Sequence, residues 1–186
     1  MEAIFVTSNK GKFAELQEQA KSFNISLSQV ELDIPEIRGN LKEIAIDKCK
    51  QAYEATNKPV MVDDSGFFVR KLQWFPGAFS VFVLKTLGNK GILKLMEGEK
   101  DRYAKFQTCA VYFDGVQMKT FEAECPGTII EGRQGRGENG FGYDPIFIPE
   151  GHSKTFAEDV KYKLQISHRK KAFDQLFKFL SVENRE

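Results

Sequence analysis

The amino-terminal part of the chain alternates short apolar runs with a segment in which apolar residues recur at helical spacing. Ala3–Val6 predicts a buried strand, and Ile25–Val30 predicts a second one. Between them, a helix beginning near Lys12 is predicted from residues spaced three or four apart: Phe13, Leu16, Ala20 and Phe23. Strands separated by helices are typical of an α/β fold.

A second helix is marked by its own start signal. Asn40 and Glu43 have the spacing of a capping box, which predicts a helix that runs to about Thr56. Its predicted buried face consists of Leu41, Ile44, Ala45, Cys49 and Ala52. Lys48 lies four residues from two members of this face, so the stem of its side chain follows the buried side. Its ammonium group then either reaches solvent or points into a site.

The next apolar run, Val60–Val62, leads directly into Asp63, Asp64, Ser65 and Gly66. Ligands of open α/β sheets bind beyond the carboxyl ends of strands, so a strand ending at Asp63 would place two carboxylates at a ligand site. Such a pair suits Mg²⁺, which binds through one or two carboxylates and substrate phosphates. The same residue types also form ordinary turns, and a turn that caps the strand is the alternative.

Polar residues also follow the first predicted strand. Thr7, Ser8 and Asn9 are good N-cap residues, and Lys10 and Lys12 come directly after them. Backbone N–H groups at a helix N-terminus attract anions, so this turn is either a phosphate site or a plain capped helix with solvated lysines. The signature of a P-loop is missing from it.

The middle of the chain begins with a turn signal that is followed by two predicted helices. Pro76-Gly77 predicts a turn, followed by an apolar helix through Leu87 and a short helix at Gly91–Met96. Trp74 and Phe79 are interpreted as core residues, with a dimer face as the alternative.

From Tyr103 the pattern favours strands. Asp114-Gly115 predicts a hairpin turn between Thr108–Phe113 and Val116–Glu124. Residues 131–142 hold five glycines, which predicts a loop.

The last third of the chain contains two aromatic residues at the end of the predicted loop and a basic helix start. Phe141 and Tyr143 either clamp a flat ring or form a core pair. Ser167 is the predicted N-cap of a helix that buries Phe173, Leu176, Phe177 and Leu180. His168 and Arg169 then lie in the first turn, where cations oppose the helix dipole and an acceptor-rich group is expected nearby.

Composition limits the classes of function. A chain of 186 residues fits one domain, with room for a smaller lobe, and its 17 Phe residues predict an aromatic core. The net charge of +1 argues against a nucleic-acid-binding protein. Three scattered cysteines without metal-ligand spacing indicate reduced thiols in a cytosol. We expect neither a signal peptide nor a membrane span, because the chain opens on a predicted strand and has no apolar run of sufficient length.

Together these features resemble the inosine triphosphate pyrophosphatase family, also called dITP/XTP pyrophosphatases. The resemblance covers almost the whole chain, from Phe5 to about Leu180. Its motifs are Thr7-Ser8-Asn9 with Lys12, Asp33–Gly39 with Glu36, Lys48, Val62–Gly66, Pro76-Gly77 with Ser80, Phe141–Pro145, and Ser167-His168-Arg169. In combination these motifs are highly specific.

The resemblance implies a fold and an activity. The expected fold is a single α/β domain over residues 1–186, elongated and two-lobed, with flanking helices, a long central mixed sheet and a cleft between the lobes. The expected reaction is hydrolysis of noncanonical purine nucleoside triphosphates (ITP, dITP and XTP) to the monophosphate and pyrophosphate. Mg²⁺ is the expected cofactor, with Mn²⁺ as a substitute. A cytoplasmic homodimer without nucleic-acid or membrane partners is expected.

The resemblance also assigns roles to individual residues. Asp64, Asp63 and Lys48 are the implied catalytic residues, and Glu36 and Asp64 the implied metal ligands. Implied substrate-binding residues are Thr7, Asn9, Lys12, Ser65, Phe141, Tyr143, Asp144, Lys163, His168 and Arg169. Among these, Phe141 and Tyr143 would stack on the purine, and Lys163, His168 and Arg169 would read its edge. Many relatives have Asn after the base-reading lysine, where this chain has Leu164.

Two other functions are weighed against this one. The first is a nucleotide sensor that binds without turnover, which pyrophosphate release would exclude. The second is a phosphotransferase, which the missing P-loop disfavours.

Overall fold

The computed structural model describes residues 2–183, which form two compact units. The first unit contains the chain up to Asp64, Thr108–Ala123, and the chain from Arg169 onward. The second unit contains Ser65–Gln107 and Glu124–His168. The chain therefore passes between the units several times.

Six α-helices and seven strands occur among the described residues. The helices are α1 (Lys10–Lys21), α2 (Leu41–Thr56), α3 (Ser80–Thr86), α4 (Gly88–Leu95), α5 (Val160–Ile166) and α6 (His168–Glu183). The strands are β1 (Glu2–Val6), β2 (Ser26–Val30), β3 (Val60–Val69), β4 (Pro76–Gly77), β5 (Tyr103–Phe113), β6 (Met118–Ile129) and β7 (Phe147–Pro149). Short 3₁₀ helices cover Arg70–Leu72 and Asp144–Ile146.

The strands of the described chain form one mixed sheet in the order β2-β1-β3-β5-β6-β7, with β4 paired to β3. Strand β1 is parallel to both of its neighbours, whereas β4 and β7 pair in the antiparallel sense. The predicted α/β class and mixed sheet are confirmed.

The prediction that the central strand ends at Asp63 is wrong. Strand β3 continues through both acids to Val69. Its parallel pairing with β1 does stop early, at the pair Phe5 and Met61, because β1 itself ends at Val6. Beyond the acids, β3 gains an antiparallel partner when Phe67 pairs with Gly77 of β4. The two acids thus lie just beyond the parallel pairing of β1 with β3, while β3 itself continues past them.

The first unit has a core built around aromatic residues. Phe5 of β1 contacts Phe173 of α6 edge to face, with ring centroids 5.5 Å apart. All four residues of the predicted α6 face are buried, as are all five of the predicted α2 face. The capping box of α2 is also confirmed, since Asn40 Oδ1 accepts from the Glu43 N–H at 3.0 Å and Glu43 Oε2 accepts from the Asn40 N–H at 2.9 Å.

The second unit has its own aromatic core. Phe67, Phe106, Phe147 and Phe156 contact one another in it, with ring centroids between 4.9 and 5.9 Å apart. The predicted aromatic-rich core is therefore confirmed in both units. The core interpretation of Trp74 and Phe79 is wrong, because their exposed fractions are 44% and 59%.

Other predictions differ mainly at element ends. Helix α4 starts at Gly88 instead of Gly91, and β5 and β6 are longer than the hairpin strands that the pattern indicated. The loop over residues 131–142 is confirmed. Strand β7 and helix α5 were not predicted from the sequence. Among residues 2–183, no helix has the length and apolar character needed to cross a membrane.

Candidate active site

The turn after β1 starts helix α1 through side-chain capping. Asn9 has extended backbone geometry, and its Oδ1 accepts from the Lys12 N–H at 3.1 Å, which makes Asn9 the N-cap. The Thr7 hydroxyl oxygen accepts from the Asn9 N–H at 3.1 Å. These bonds place Lys12 in the first turn of α1, with its side chain directed at the acidic strand.

Asp63 is buried between two cations of the first unit. Its two carboxylate oxygens each lie 3.0 Å from Lys12 Nζ. Arg169 Nε, at the start of α6, lies 3.4 Å from Asp63 Oδ2. Burial lowers the pKa of Lys12 more than Asp63 raises it, so the ammonium is easier to deprotonate than an exposed lysine.

Asp64 faces a different cation. Its Oδ1 lies 3.6 Å from Lys48 Nζ, and the same ammonium donates to Glu36 Oε1 at 2.9 Å. Burial raises the pKa of Asp64 to about 6, although Lys48 and Lys12 oppose the shift. For Lys48, attraction to Asp64 and Glu36 outweighs burial and raises the pKa. The predicted contact of Lys48 with the site is therefore present.

Successive strand residues explain why two adjacent acids have different partners. Side chains alternate between the two faces of a strand, so Asp63 and Asp64 of β3 project in opposite directions. Asp63 thus meets α1 and α6, while Asp64 meets Lys48 of α2, which also binds Glu36 of the preceding loop. One short stretch of strand supplies carboxylates to both groups of cations.

The charge of this cluster bears on the implied metal. Lys12, Lys48 and Arg169 face four carboxylates, those of Glu15, Glu36, Asp63 and Asp64, so the ionised cluster carries one net negative charge. A polyphosphate would add further negative charge, which a divalent cation would offset. Glu36 and Asp64 already share one cation, and their hard oxygen donors fit Mg²⁺. No group of three His, Cys, Asp or Glu side chains suited to a metal occurs within residues 2–182, so phosphate oxygens would complete the ligand set.

A second group of predicted residues lies in the second unit, where Asp144 is its centre. Asp144 Oδ2 accepts from the Phe141 N–H at 2.8 Å and from Lys163 Nζ at 2.7 Å. Lys163 Nζ also lies 4.1 Å from the centroid of the Phe141 ring. Gly140 allows this close approach, because a Cβ there would lie 2.4 Å from Asp144 Oδ2. The glycine-rich loop and α5 thus join an aromatic face, an acid and a cation.

Tyr143 belongs to the core of the second unit. Its ring stacks on Phe67, with centroids 4.7 Å apart, and only 3% of the residue is exposed. Its hydroxyl donates to the Ser80 carbonyl oxygen at 2.7 Å, and burial raises the pKa of the phenol. Of the two aromatic residues proposed for stacking, Phe141 is the one that is partly exposed.

Four further predicted residues are placed as follows. Ser65 is half-buried on β3, next to Asp64. Ser167 precedes α6 with extended backbone, the geometry expected of an N-cap. His168 stacks on Phe106 in the second unit, with ring centroids 4.8 Å apart. Arg169, for which a role at the base edge is predicted, contacts Asp63 and Glu15 in the first unit.

Two residues of the first-unit cluster were missed in the sequence. Glu15 Oε2 accepts from the Arg169 guanidinium at 2.7 Å, and Thr108 Oγ1 lies 2.9 Å from the Asp64 carbonyl oxygen. Glu15 was detectable in principle, because it lies one helical turn after Lys12 and shares its face of α1. Thr108 gave no such signal, since Thr is an ordinary strand residue.

Comparisons with known proteins agree on one family. The Ham1 family model matches residues 3–179. The dITP/XTP pyrophosphatase of Methanopyrus kandleri is 45% identical over 178 residues, covering 94% of each chain. The dITP/XTP pyrophosphatase of Saccharolobus solfataricus is 48% identical over 177 residues, covering 94% of this chain and 91% of that one. The structure of a HAM1 protein from Coxiella burnetii matches with a TM-score of 0.85 at 31% identity, covering 97% and 98% of the two chains.

Proposed function

Because the chain belongs to the Ham1 family, as its sequence motifs predicted, we propose that it acts as a dITP/XTP pyrophosphatase. It hydrolyses noncanonical purine nucleoside triphosphates to the monophosphate and pyrophosphate. The observation that supports this most strongly is the cluster of three cations and four carboxylates around β3. The cations can bind the negatively charged triphosphate, and the carboxylates can bind a metal ion or orient the water that attacks phosphorus.

The cations of the first unit hold the phosphates. Lys12 and Lys48 are each paired with a carboxylate in this structure, so binding exchanges a carboxylate for a phosphate oxygen. The N-terminal turn of α1, capped by Asn9, adds backbone N–H donors, and the hydroxyl of Thr7 belongs to the same turn. Ser65, which directly follows Asp64 on β3, adds a further hydroxyl. Arg169, fixed by Glu15, balances the charge of Asp63.

Glu36 and Asp64 would hold Mg²⁺, for which Mn²⁺ would substitute, together with phosphate oxygens. When bound, the ion neutralises phosphate charge and lowers the pKa of coordinated water. Burial raises the pKa of Asp64 to about 6, so its carboxylate is mostly ionised near neutral pH and can either bind the ion or accept a proton from the attacking water. Lys48 orients Asp64, and Asp63 supports the arrangement through Lys12. Attack at the α-phosphorus releases pyrophosphate.

In the second unit, Phe141 offers the purine a stacking face. The ammonium of Lys163 lies over this ring in the structure, so a stacking purine must displace it or share the ring with it. Lys163 keeps Asp144 as one acceptor and can donate another hydrogen to the six-position oxygen of hypoxanthine or xanthine. Adenine presents an amino group there, which leaves donor facing donor. His168 and Asp144 complete the polar surroundings.

This donor pattern gives an expected ranking of substrates. Each unpaired buried polar group costs about 1–3 kcal/mol, so two or three such losses, each near the middle of that range or above, would reject ATP by several powers of ten. GTP shares the six-position oxygen and would be rejected less strongly. We expect ITP, dITP and XTP to be hydrolysed far faster than ATP.

The exposed apolar residues of the second unit support a homodimer. They are concentrated between residues 74 and 95: Trp74, Phe75, Phe79, Val81, Phe82, Leu87 and Leu95. Sedimentation velocity should give a dimer for the wild-type chain, whereas Phe82→Glu, at a site 67% exposed, should give monomer. A monomeric wild-type protein would contradict this assembly.

A cytoplasmic location is part of the proposal. Its support is chemical, because Cys49, Cys109 and Cys125 are all buried free thiols, as expected in a reducing compartment.

The activity is tested with a panel of nucleoside triphosphates assayed for pyrophosphate in the presence of Mg²⁺. The proposal expects release from ITP, dITP and XTP at rates at least about a hundredfold above that from ATP. Tight binding of ITP without any product would indicate a sensor instead. Transfer of phosphate to an acceptor would indicate a phosphotransferase.

A further inference from the structure

The acidic pair of β3 is contacted by a neutral side chain as well as by cations. Thr108 of β5 is completely buried. Its hydroxyl oxygen lies 2.9 Å from the carbonyl oxygen of Asp64 and 3.3 Å from Oδ2 of Asp63. The three residues belong to the same unit, so one side chain contacts the backbone of one acid and the carboxylate of the other.

A buried hydroxyl at this position is not explained by packing alone. The residues that follow Thr108 on β5 are Cys109, Ala110 and Val111, all buried. Valine is close to threonine in shape and, like threonine, favours strands. A buried hydroxyl is unfavourable unless it makes hydrogen bonds, and the bonds made here go to the acidic pair. The hydroxyl therefore contacts the acidic pair in a way that a valine could not.

The hydroxyl carries one hydrogen and has two acceptors within reach. At 2.9 Å the Asp64 carbonyl is the better acceptor, and this bond fixes the peptide group that joins Asp64 to Ser65. Rotation about the Cβ–Oγ1 bond can direct the same hydrogen to Asp63 Oδ2. The single hydrogen bonds to one of these acceptors at a time, and the shorter distance favours the Asp64 carbonyl.

We propose that Thr108 is a positioning residue for the pyrophosphatase reaction. It holds the Asp63–Asp64 backbone so that Asp63 keeps facing Lys12 and Arg169 while Asp64 faces Lys48. This role rests on the proposed function, although the hydrogen bond to Asp64 can be tested without turnover.

The kinetic test compares variants that differ by one hydroxyl. Thr108→Val and Thr108→Ala should lower kcat for dITP by about tenfold to a hundredfold, because a misaligned carboxylate loses stabilisation in the transition state. KM should change by less than about threefold, since the phosphates are held by other side chains. Thr108→Ser keeps the hydroxyl and should restore kcat to within about threefold of wild type.

A matched control distinguishes the loss of a positioning hydrogen bond from the general effect of removing a buried hydroxyl. Thr155 is also completely buried, and its hydroxyl donates to the Arg136 carbonyl at 2.9 Å, in the second unit. Thr155→Val should therefore lower thermal stability without lowering kcat. The proposal is overturned if Thr108→Val and Thr108→Ala retain full kcat, or if Thr155→Val loses as much as they do.

A spectroscopic measurement makes the test independent of activity. The carbonyl ¹³C resonance of Asp64 should move in Thr108→Val and in Thr108→Ala, and return in Thr108→Ser. An unmoved resonance would overturn the hydrogen bond, and with it the positioning role, whatever the kinetics show. Absence of pyrophosphate release by the wild-type protein would instead contradict the proposed function. The Asp64 resonance would then still test the hydrogen bond from Thr108.

Discussion

A pair of glycines offers a direct test of the Asp144 cluster. Gly140 and Gly151 have nearly the same left-handed backbone, with φ of +78° and +77°. A Cβ at Gly140 would lie 2.4 Å from Asp144 Oδ2, whereas a Cβ at Gly151 would meet nothing within 4 Å. Gly140→Ala and Gly151→Ala therefore carry the same backbone strain and differ in whether the new methyl group displaces a carboxylate.

The expected difference follows from the bonds that Asp144 makes. Strain at a left-handed position costs about 1–3 kcal/mol in either variant. In Gly140→Ala the carboxylate must also move away from the Phe141 N–H and the Lys163 ammonium, now 2.8 and 2.7 Å away. Hydrogen bonds to charged groups contribute about 1.5–3 kcal/mol, so weakening them should add about that much.

Two assays check this prediction. Urea unfolding should show that Gly140→Ala loses about 1.5–3 kcal/mol more stability than Gly151→Ala. The KM for dITP should rise about tenfold or more in Gly140→Ala and stay near wild type in Gly151→Ala, because Phe141 and Lys163 are misplaced in the first variant alone. Equal stabilities and equal KM values for the two variants would refute the reasoning.

Three other substitutions distinguish chemistry, stacking and packing. Asp64→Asn keeps the size of the side chain but removes the charge that a hard cation needs, so turnover should be nearly abolished with an unchanged circular dichroism spectrum; wild-type rates from the folded variant would exclude Asp64 as metal ligand or base. Phe141→Ala should weaken ITP binding by about 1–3 kcal/mol in titration calorimetry, and an unchanged affinity would exclude stacking on its ring. Tyr143→Ala should instead lower the unfolding free energy by about 3–5 kcal/mol, because Tyr143 is buried against Phe67; a variant as stable as wild type would contradict that packing.

Local signals made much of the fold predictable. Helix α2 was located from Asn40 and Glu43 because a capping box depends on residues three apart. The buried faces of α2 and α6 follow from helical periodicity, which is also local. Helix α5 has seven residues, too few for a clear periodic pattern, and β7 has three.

Long-range pairing explains where the strand prediction failed. Asp63 and Asp64 look like turn residues in the sequence, yet β3 continues because β4, which begins at Pro76, pairs with it beyond the acids. No residue near Asp64 in the sequence indicates that β4 will pair with this strand. A similar limit applied to Thr108, whose relevance depends on a contact 44 positions away in the sequence.

The candidate site was predictable residue by residue but not in its grouping. The resemblance named Lys12, Lys48, Asp63 and Asp64, and the structure brings them together in the first unit. It also grouped Arg169 with Lys163 and His168, although Arg169 contacts two carboxylates of the first unit. A guanidinium pairs with whichever carboxylates the fold places beside it, and the sequence does not show which those are.

The most direct test of the proposed reaction is hydrolysis of dITP in water enriched in ¹⁸O, with mass analysis of both products. Water attack at the α-phosphorus predicts dIMP that carries one ¹⁸O atom and pyrophosphate that carries none. The label in pyrophosphate would place the attack on the β-phosphorus. Formation of dIDP and inorganic phosphate, or no product at all, would contradict the proposed pyrophosphatase activity.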